Sequence, residues 1–337
     1  MKKPKVVSIM NLNGGVAKST VALNLAKGFA NEGFKVCVMD LDVQATTTDI
    51  LSGTGEEWTE KERSLLPDLA NVKGSVFDAL SSIVNANSID GLRSGEGIQT
   101  LSSAYEVLTY SDDIGNRKKL SEIAGEAIIN SVYMTEYPNI NLIPSTTKLA
   151  QVDEELRKAT FGADVKKISR AIESEAFQKL DYDVFIIDTA PTQNLISLNA
   201  VAASDMVIVP MGTEKKHIRG MITTVNVVWS VANRLEKDID LWMCFAMKKN
   251  IKEENESIQT FTTPTLKCSD GKVIENDIAE AFFKSTIRYQ AAPARQASNT
   301  NQFLIDMVKK DGSYRYAVSE DYHNLYEEVK NELSVHK

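Results

Sequence analysis

Near the start of the chain, Asn13-Gly14-Gly15-Val16-Ala17-Lys18-Ser19-Thr20 places a lysine and hydroxyls directly after a glycine turn. That spacing suits a phosphate. Glycines let backbone N–H groups converge on one spot, the Lys18 ammonium adds positive charge there, and the Ser19 hydroxyl can ligate magnesium. Two further stretches end in carboxylates. Lys35 to Met39 closes on Asp40-Leu41-Asp42, and Val184-Phe185-Ile186-Ile187 closes on Asp188. An aspartate ending four consecutive apolar residues belongs at the tip of a buried strand, where an unpaired charge would be costly and a nearby cation would balance it. Together these residues could cradle a nucleoside triphosphate, hold magnesium and direct a water at the γ-phosphate.

The elements that must position them follow from apolar spacing. Val6 to Met10 reads as a strand, and Val21, Ala22, Leu25, Ala26 and Phe29 mark the helix after the glycine turn. Further strands are expected at Lys35–Met39, Pro138–Ser145, Val184–Ile187, Met206–Pro210 and Leu241–Met247. Another segment, Ala281–Arg288, leads to a turn containing Pro293. Helices are expected from Val76, from Leu149 through Arg157, from Glu214, over Asn301–Lys310 and over Asp321–Leu333. Strands alternating with helices predict an α/β fold, a mainly parallel doubly wound sheet with helices on both faces. We read residues 1–337 as a single elaborated domain, with an enlarged polar insertion at about 53–136.

Composition narrows the class. The chain is 43% hydrophobic and 25% charged, and no apolar run approaches the roughly 18 residues a bilayer span needs. Cys37, Cys244 and Cys268 are scattered, so neither a disulfide framework nor a metal cluster is implied, and a reducing cytoplasm fits. The net charge of -8 argues against coating nucleic acid through the overall field, though not against a local basic patch.

Leu12 stands where an ordinary phosphate loop has its first glycine. The stretch instead resembles the deviant Walker A box of the ParA/MinD family, written K-G-G-V-G-K-[ST]-[ST]. Asn13 replaces the family's signature lysine, and Ala17 replaces the glycine before Lys18. Asp40-Leu41-Asp42-Val43-Gln44-Ala45 likewise resembles the family's D-x-D-P-Q-G segment, with Val43 for proline and Ala45 for glycine. The resemblance implies a nucleotide site of Gly14, Gly15, Val16, Ala17, Lys18, Ser19 and Thr20, with Met247, Arg288 and Tyr289 around the adenine. It implies Asp42 as the residue that activates water, Ser19, Asp40 and Asp188 as the Mg2+ site, and Asn13 beside Lys18 and Asp42 in catalysis.

The same resemblance implies ATP as cofactor, a homodimer closed by ATP, nonspecific DNA as track and a ParB-like or other adaptor that stimulates hydrolysis. A nucleoid-associated cytoplasmic location goes with that cycle. Carboxysome-positioning relatives called McdA lack the signature lysine and have a substitute further along the chain. Lys215 or Lys216 is either that substitute or a solvated helix start. Arg288, Arg295, Lys309, Lys310 and Arg315 are either the DNA surface or a scatter of solvated basic residues. The function implied is a ParA-type ATPase that partitions DNA or positions a cargo, with slow turnover. Two alternatives are an ATP-sensing switch with little hydrolysis and a MinD-like membrane-cycling regulator. Glu327, Glu328 and Glu332 make the last helix acidic, against the membrane reading. Tyr314, Tyr316, Tyr322 and Tyr326 read as packing residues rather than a phosphorylated tail.

Overall fold

A computed structural model describes residues 2–52, 129, 132–145, 149, 165–249, 251–267, 273–300 and 302–335. Most of the expected insertion, the helix starting at Val76 and all of the helix expected from Leu149 except Leu149 itself lie outside the described residues. Strand β1 (Lys5–Ile9) leads through the glycine turn into α1 (Lys18–Asn31), and β2 (Val36–Leu41) into the short α2 (Thr46–Leu51). After β3 (Tyr133–Met134) and β4 (Ile140–Ile143) come α3 (Lys167–Glu173), α4 (Glu175–Gln178), β5 (Val184–Thr189) and α5 (Leu195–Ala203). Then follow β6 (Met206–Met211), α6 (Lys215–Leu235), β7 (Asp240–Lys248), α7 (Lys252–Thr262) and a hairpin of β8 (Thr265–Lys267) and β9 (Val273–Glu275). The chain closes with β10 (Phe282–Arg288), α8 (Ala291–Thr300) and α9 (Ala317–Glu332).

Eight strands form one sheet in the order β10-β7-β6-β1-β5-β2-β4-β3, parallel except for the β3–β4 pair. Alternation along each strand sends side chains to opposite faces. Val7, Ile9, Val38, Val184, Ile186 and Ile208 pack against α1 and α9, while Cys37, Met39, Phe185, Ile187, Val207 and Val209 face α3 to α6. Both faces are covered, so the central strands are apolar throughout. Since β1 lies between β5 and β6, the loops leaving β1, β2 and β5 share one crevice at the strand C-termini.

Two expected elements differ. Asn301–Lys310 is not a helix: after Gln302 the chain makes a single 3-10 turn, Leu304–Asp306, and Val308 then bridges to Tyr314. Phe303, Leu304, Ile305 and Met307 are all buried, a density that one helical stripe cannot provide, and Gly312 at φ 82 reverses the chain. Pro293 sits in the first turn of α8 rather than in a turn between elements, where its missing N–H costs nothing.

Candidate functional site

The glycine turn is fastened to the rest of the domain through its first half. Asn11, buried at its base, donates Nδ2 to the Pro210 carbonyl (2.8 Å) and accepts from Asn13 N (2.9 Å). Leu12 N donates to the Thr224 hydroxyl (3.2 Å) on α6, which itself donates to the Gly220 carbonyl (2.7 Å). Asn13 Nδ2 donates to the Lys216 carbonyl in the first turn of α6. The approach of α6 depends on a glycine, because a Cβ at Gly220 would lie 2.1 Å from Asn13 Nδ2.

The second half forms the cradle. Gly15 (φ 72) and Ala17 (φ 64) are both left-handed, and that geometry turns backbone N–H groups inward to make an anion-binding concavity. Above Gly14 and Gly15 a Cβ would meet nothing within 4 Å, so the space a phosphate needs is open. An alanine at position 17 carries strain that a glycine would not, about 1 kcal/mol. Lys18 is buried and its Nζ donates to the Asn13 carbonyl (2.9 Å), so the ammonium lies back over the loop. Burial pushes its pKa down, and the charges of Asp188 and Asp42 act the other way.

Asp40 and Asp188 stand opposite each other in the β2–β5 register, and both are fully buried. Burial pushes both carboxyls above the usual range. The Asp188 charge adds to that for Asp40, while for Asp188 the nearby Ser19 hydroxyl, the Thr47 bond and the Lys18 charge oppose it. Asp40 is engaged by its own chain: Oδ1 accepts from Asp42 N (3.0 Å), and Oδ2 accepts from Thr48 N and its hydroxyl (2.8 Å each). It therefore holds the segment that carries Asp42. Asp42 is partly exposed, and its Oδ1 accepts from Gln44 N (2.9 Å). At the start of α2, Ala45 is left-handed at φ 53.

Asp188 Oδ2 accepts from the Thr47 hydroxyl (2.7 Å), while Oδ1 is buried with no hydrogen-bond partner. A buried carboxylate oxygen without a partner, next to the Ser19 hydroxyl and an open phosphate cradle, fits a hard cation that takes one or two protein oxygens and completes its shell with phosphate and water. Among the described residues no group of three or more acidic, histidine or cysteine side chains is placed to hold a metal ion.

The other expected residues are spread around this centre. Lys215 and Lys216 are exposed at the start of α6 beside Asn13; Lys216 Nζ pairs with Glu214 at 3.1 Å. Met247 (φ 63) and Tyr289 lie exposed at the ends of β7 and β10, and Tyr289 N donates to the carbonyl of Lys248, the neighbour of Met247 (2.8 Å). Arg288 turns to α9, where Nε and Nη2 grip the Asp321 carboxylate and its backbone N–H donates to the same group (2.9 Å). A cavity of about 160 Å³ opens beside Thr20, lined by Leu23, Ile50, Ala294, Ala297 and Phe303; Met247, Arg288 and Tyr289 do not line it. Arg295, Lys309, Lys310 and Arg315 are exposed, with Arg315 lying 5.4 Å from the Tyr316 ring centre.

Sequence reading missed Asn11, Thr47, Thr48, Gly220 and Thr224. The run Thr46-Thr47-Thr48 after the paired aspartates was a usable signal, because hydroxyls are what buried carboxylates require. Gly220 and Thr224 gave none, since they lie about 200 residues from the loop and only the fold brings them to it.

A family model described as an AAA domain (AAA_31) matches residues 4–241. Soj, the sporulation initiation inhibitor protein of Bacillus subtilis (strain 168), is 26% identical over 235 residues, covering 70% of this chain and 69% of its own. The chromosome partitioning protein ParA of Caulobacter vibrioides (strain NA1000 / CB15N) is 23% identical over 239 residues, covering 70% of this chain and 67% of its own. Among solved structures, an ATP complex of a McdA variant from Cyanothece superposes with a TM-score of 0.64 at 17% identity, over 100% of this chain and 99% of that one. A putative plasmid partition protein of Borrelia burgdorferi B31 bound to AMPPNP gives 0.60 at 19%, over 98% and 100%. At such identities the structural likeness speaks for the fold.

Proposed function

The chain belongs to the AAA-domain family (AAA_31), with Soj and ParA partition proteins among its relatives, and from that premise we propose a ParA-type ATPase that closes into a homodimer on ATP, binds nonspecific DNA and partitions DNA or positions a cargo. The observation that carries the reading is the convergence of Lys18, Ser19, Asp188 and Asp42 at the ends of β1, β2 and β5. Lys18 and the loop N–H groups take the β- and γ-phosphates. Ser19 and Asp188 hold magnesium, whose chemistry is to neutralise developing charge on the phosphates. Asp42 orients the attacking water, and Asp40 fixes Asp42 in place.

Asn13 offers an amide where the family has a charged lysine. Loss of a charge aimed at the transition state is worth powers of ten in rate, so intrinsic turnover is slow and an adaptor of the ParB kind accelerates it. Lys215 or Lys216, next to Asn13, is the candidate for the missing charge. The DNA surface draws on Arg295, Lys309, Lys310 and Arg315, while Arg288 serves the fold.

The deciding experiment measures phosphate release and binding to random-sequence duplex DNA with ATP and magnesium, with ADP and without nucleotide, at two salt concentrations. Salt-sensitive binding confined to the ATP state, with turnover abolished by Asp42→Ala, is the expected outcome. DNA binding that ignores nucleotide would sink the cycle. A second reading, an ATP-sensing switch without hydrolysis, draws on the engagement of Asn13 with its own chain; turnover equal in the wild type and Asp42→Ala selects it.

A further inference from the structure

Helix α6 has two apolar faces. His217, Met221, Thr224, Val228 and Val231 are buried against the sheet and α5. On the outer side Ile218, Ile222, Val225, Trp229 and Ala232 follow one another at spacings of four, three, four and three, the seam of a coiled coil. Ile218 and Val225 are half-covered, whereas Ile222 is 51% and Trp229 68% exposed. These two project one heptad apart, like knobs without holes.

Charge selects the occupant. The chain carries more Asp and Glu than Lys and Arg, with a net charge of -8, yet Lys215 to Leu235 holds Lys215, Lys216, Arg219 and Arg234 and no acidic residue. Arg219, Asn226 and Asn233 flank the seam on its open side, and all are exposed. A second copy of α6 would set this basic face against itself. We propose that the outer face of α6 is a docking surface for an acidic amphipathic helix of a partner protein, its apolar residues seated around Ile222 and Trp229 and its carboxylates on Lys215 and Arg219.

The first turn of this helix is bonded to the phosphate loop through Asn13 and Lys216, and Leu12 N is bonded to Thr224 two turns on. An occupant that shifts α6 therefore shifts the loop; this consequence alone rests on the ATPase reading.

The test uses the full chain without nucleotide, so that docking is decided whether or not ATP is hydrolysed. Two fluorescently labelled 28-residue peptides of heptad design, with leucine at the seam and glutamate or lysine elsewhere, are titrated and followed by anisotropy. The glutamate peptide is expected to saturate and to bind at least tenfold tighter than the lysine peptide. Trp229→Ala and Arg219→Glu, both at exposed positions, are expected each to weaken it at least tenfold with an unchanged circular dichroism spectrum. Binding of neither peptide, equal binding of both, or indifference to both substitutions overturns the proposal. Trp229-dependent self-association in sedimentation, or Trp229-dependent binding to phosphatidylserine vesicles or duplex DNA in place of the acidic peptide, overturns it in favour of that occupant.

Discussion

Replacing Gly220 by alanine probes the contact that joins α6 to the phosphate loop. The new Cβ would stand 2.1 Å from Asn13 Nδ2, 2.5 Å from Asn13 Cγ and 3.0 Å from Asn11 Oδ1. The Asn13 side chain can swing away, but it then loses its bond to the Lys216 carbonyl, worth about 0.5–1.5 kcal/mol. Asn11 cannot swing, being held by the Pro210 carbonyl and Asn13 N, so part of an overpacking cost of about 1–3 kcal/mol is felt. Against these stands a gain of about 1 kcal/mol for alanine over glycine inside a helix. The net loss is about 1 kcal/mol in the wild type. In an Asn13→Ala background the Asn13 clash and the lost bond are both gone while the Asn11 contact remains, so the same substitution lies between neutral and stabilising by up to about 1 kcal/mol. Urea unfolding of the four proteins, read as midpoint and slope, gives the coupling. Equal effects of Gly220→Ala in both backgrounds, within the roughly 0.5 kcal/mol expected of independent sites, would refute the packing argument.

Ala17→Gly and Ala45→Gly relieve left-handed strain at two cradle positions; each leaves the unfolding free energy from urea titration unchanged or raised by up to about 1 kcal/mol, whereas Ala17→Val lowers it. Arg288→Ala leaves the nearly buried Asp321 without its clamp and lowers stability by about 1.5–3 kcal/mol, measured by urea unfolding, while DNA binding at a salt that preserves the fold is kept. Burial pushes the Glu32 carboxyl up, but the Lys330 ammonium, 2.8 Å away, outweighs it and holds the carboxyl below its ordinary value of 4.5. Its stabilisation is therefore full above about pH 4.5 and is lost as pH falls further, so Glu32→Gln flattens the acid side of the thermal stability profile. Asp188→Asn keeps the Thr47 contact but removes the carboxylate charge opposite Ser19; magnesium-dependent tightening of ATP binding, followed by calorimetry, is expected to disappear.

The sequence by itself determined the mainly parallel sheet and where its main strands fall along the chain, because each central strand is an apolar run ending at a turn or a carboxylate; their order in the sheet came only from the structure. The sequence also put the glycine loop at Gly14 to Thr20 and the aspartates at 40, 42 and 188 at or just after strand ends, where the structure has them. Local pattern misled at Phe303 to Met307, where dense apolar residues read as helical and are buried instead by the fold around them. Only the tertiary structure decided which aspartate oxygens are free. Asp40 and Asp188 look alike in sequence, yet Thr48 and Asp42 N fill the first while one oxygen of the second stays open. It decided too that Asn13 is tied to Lys216 and that Arg288 serves Asp321. These pairings join residues roughly 200 and 33 positions apart, a separation across which spacing carries no signal and only packing brings the partners together.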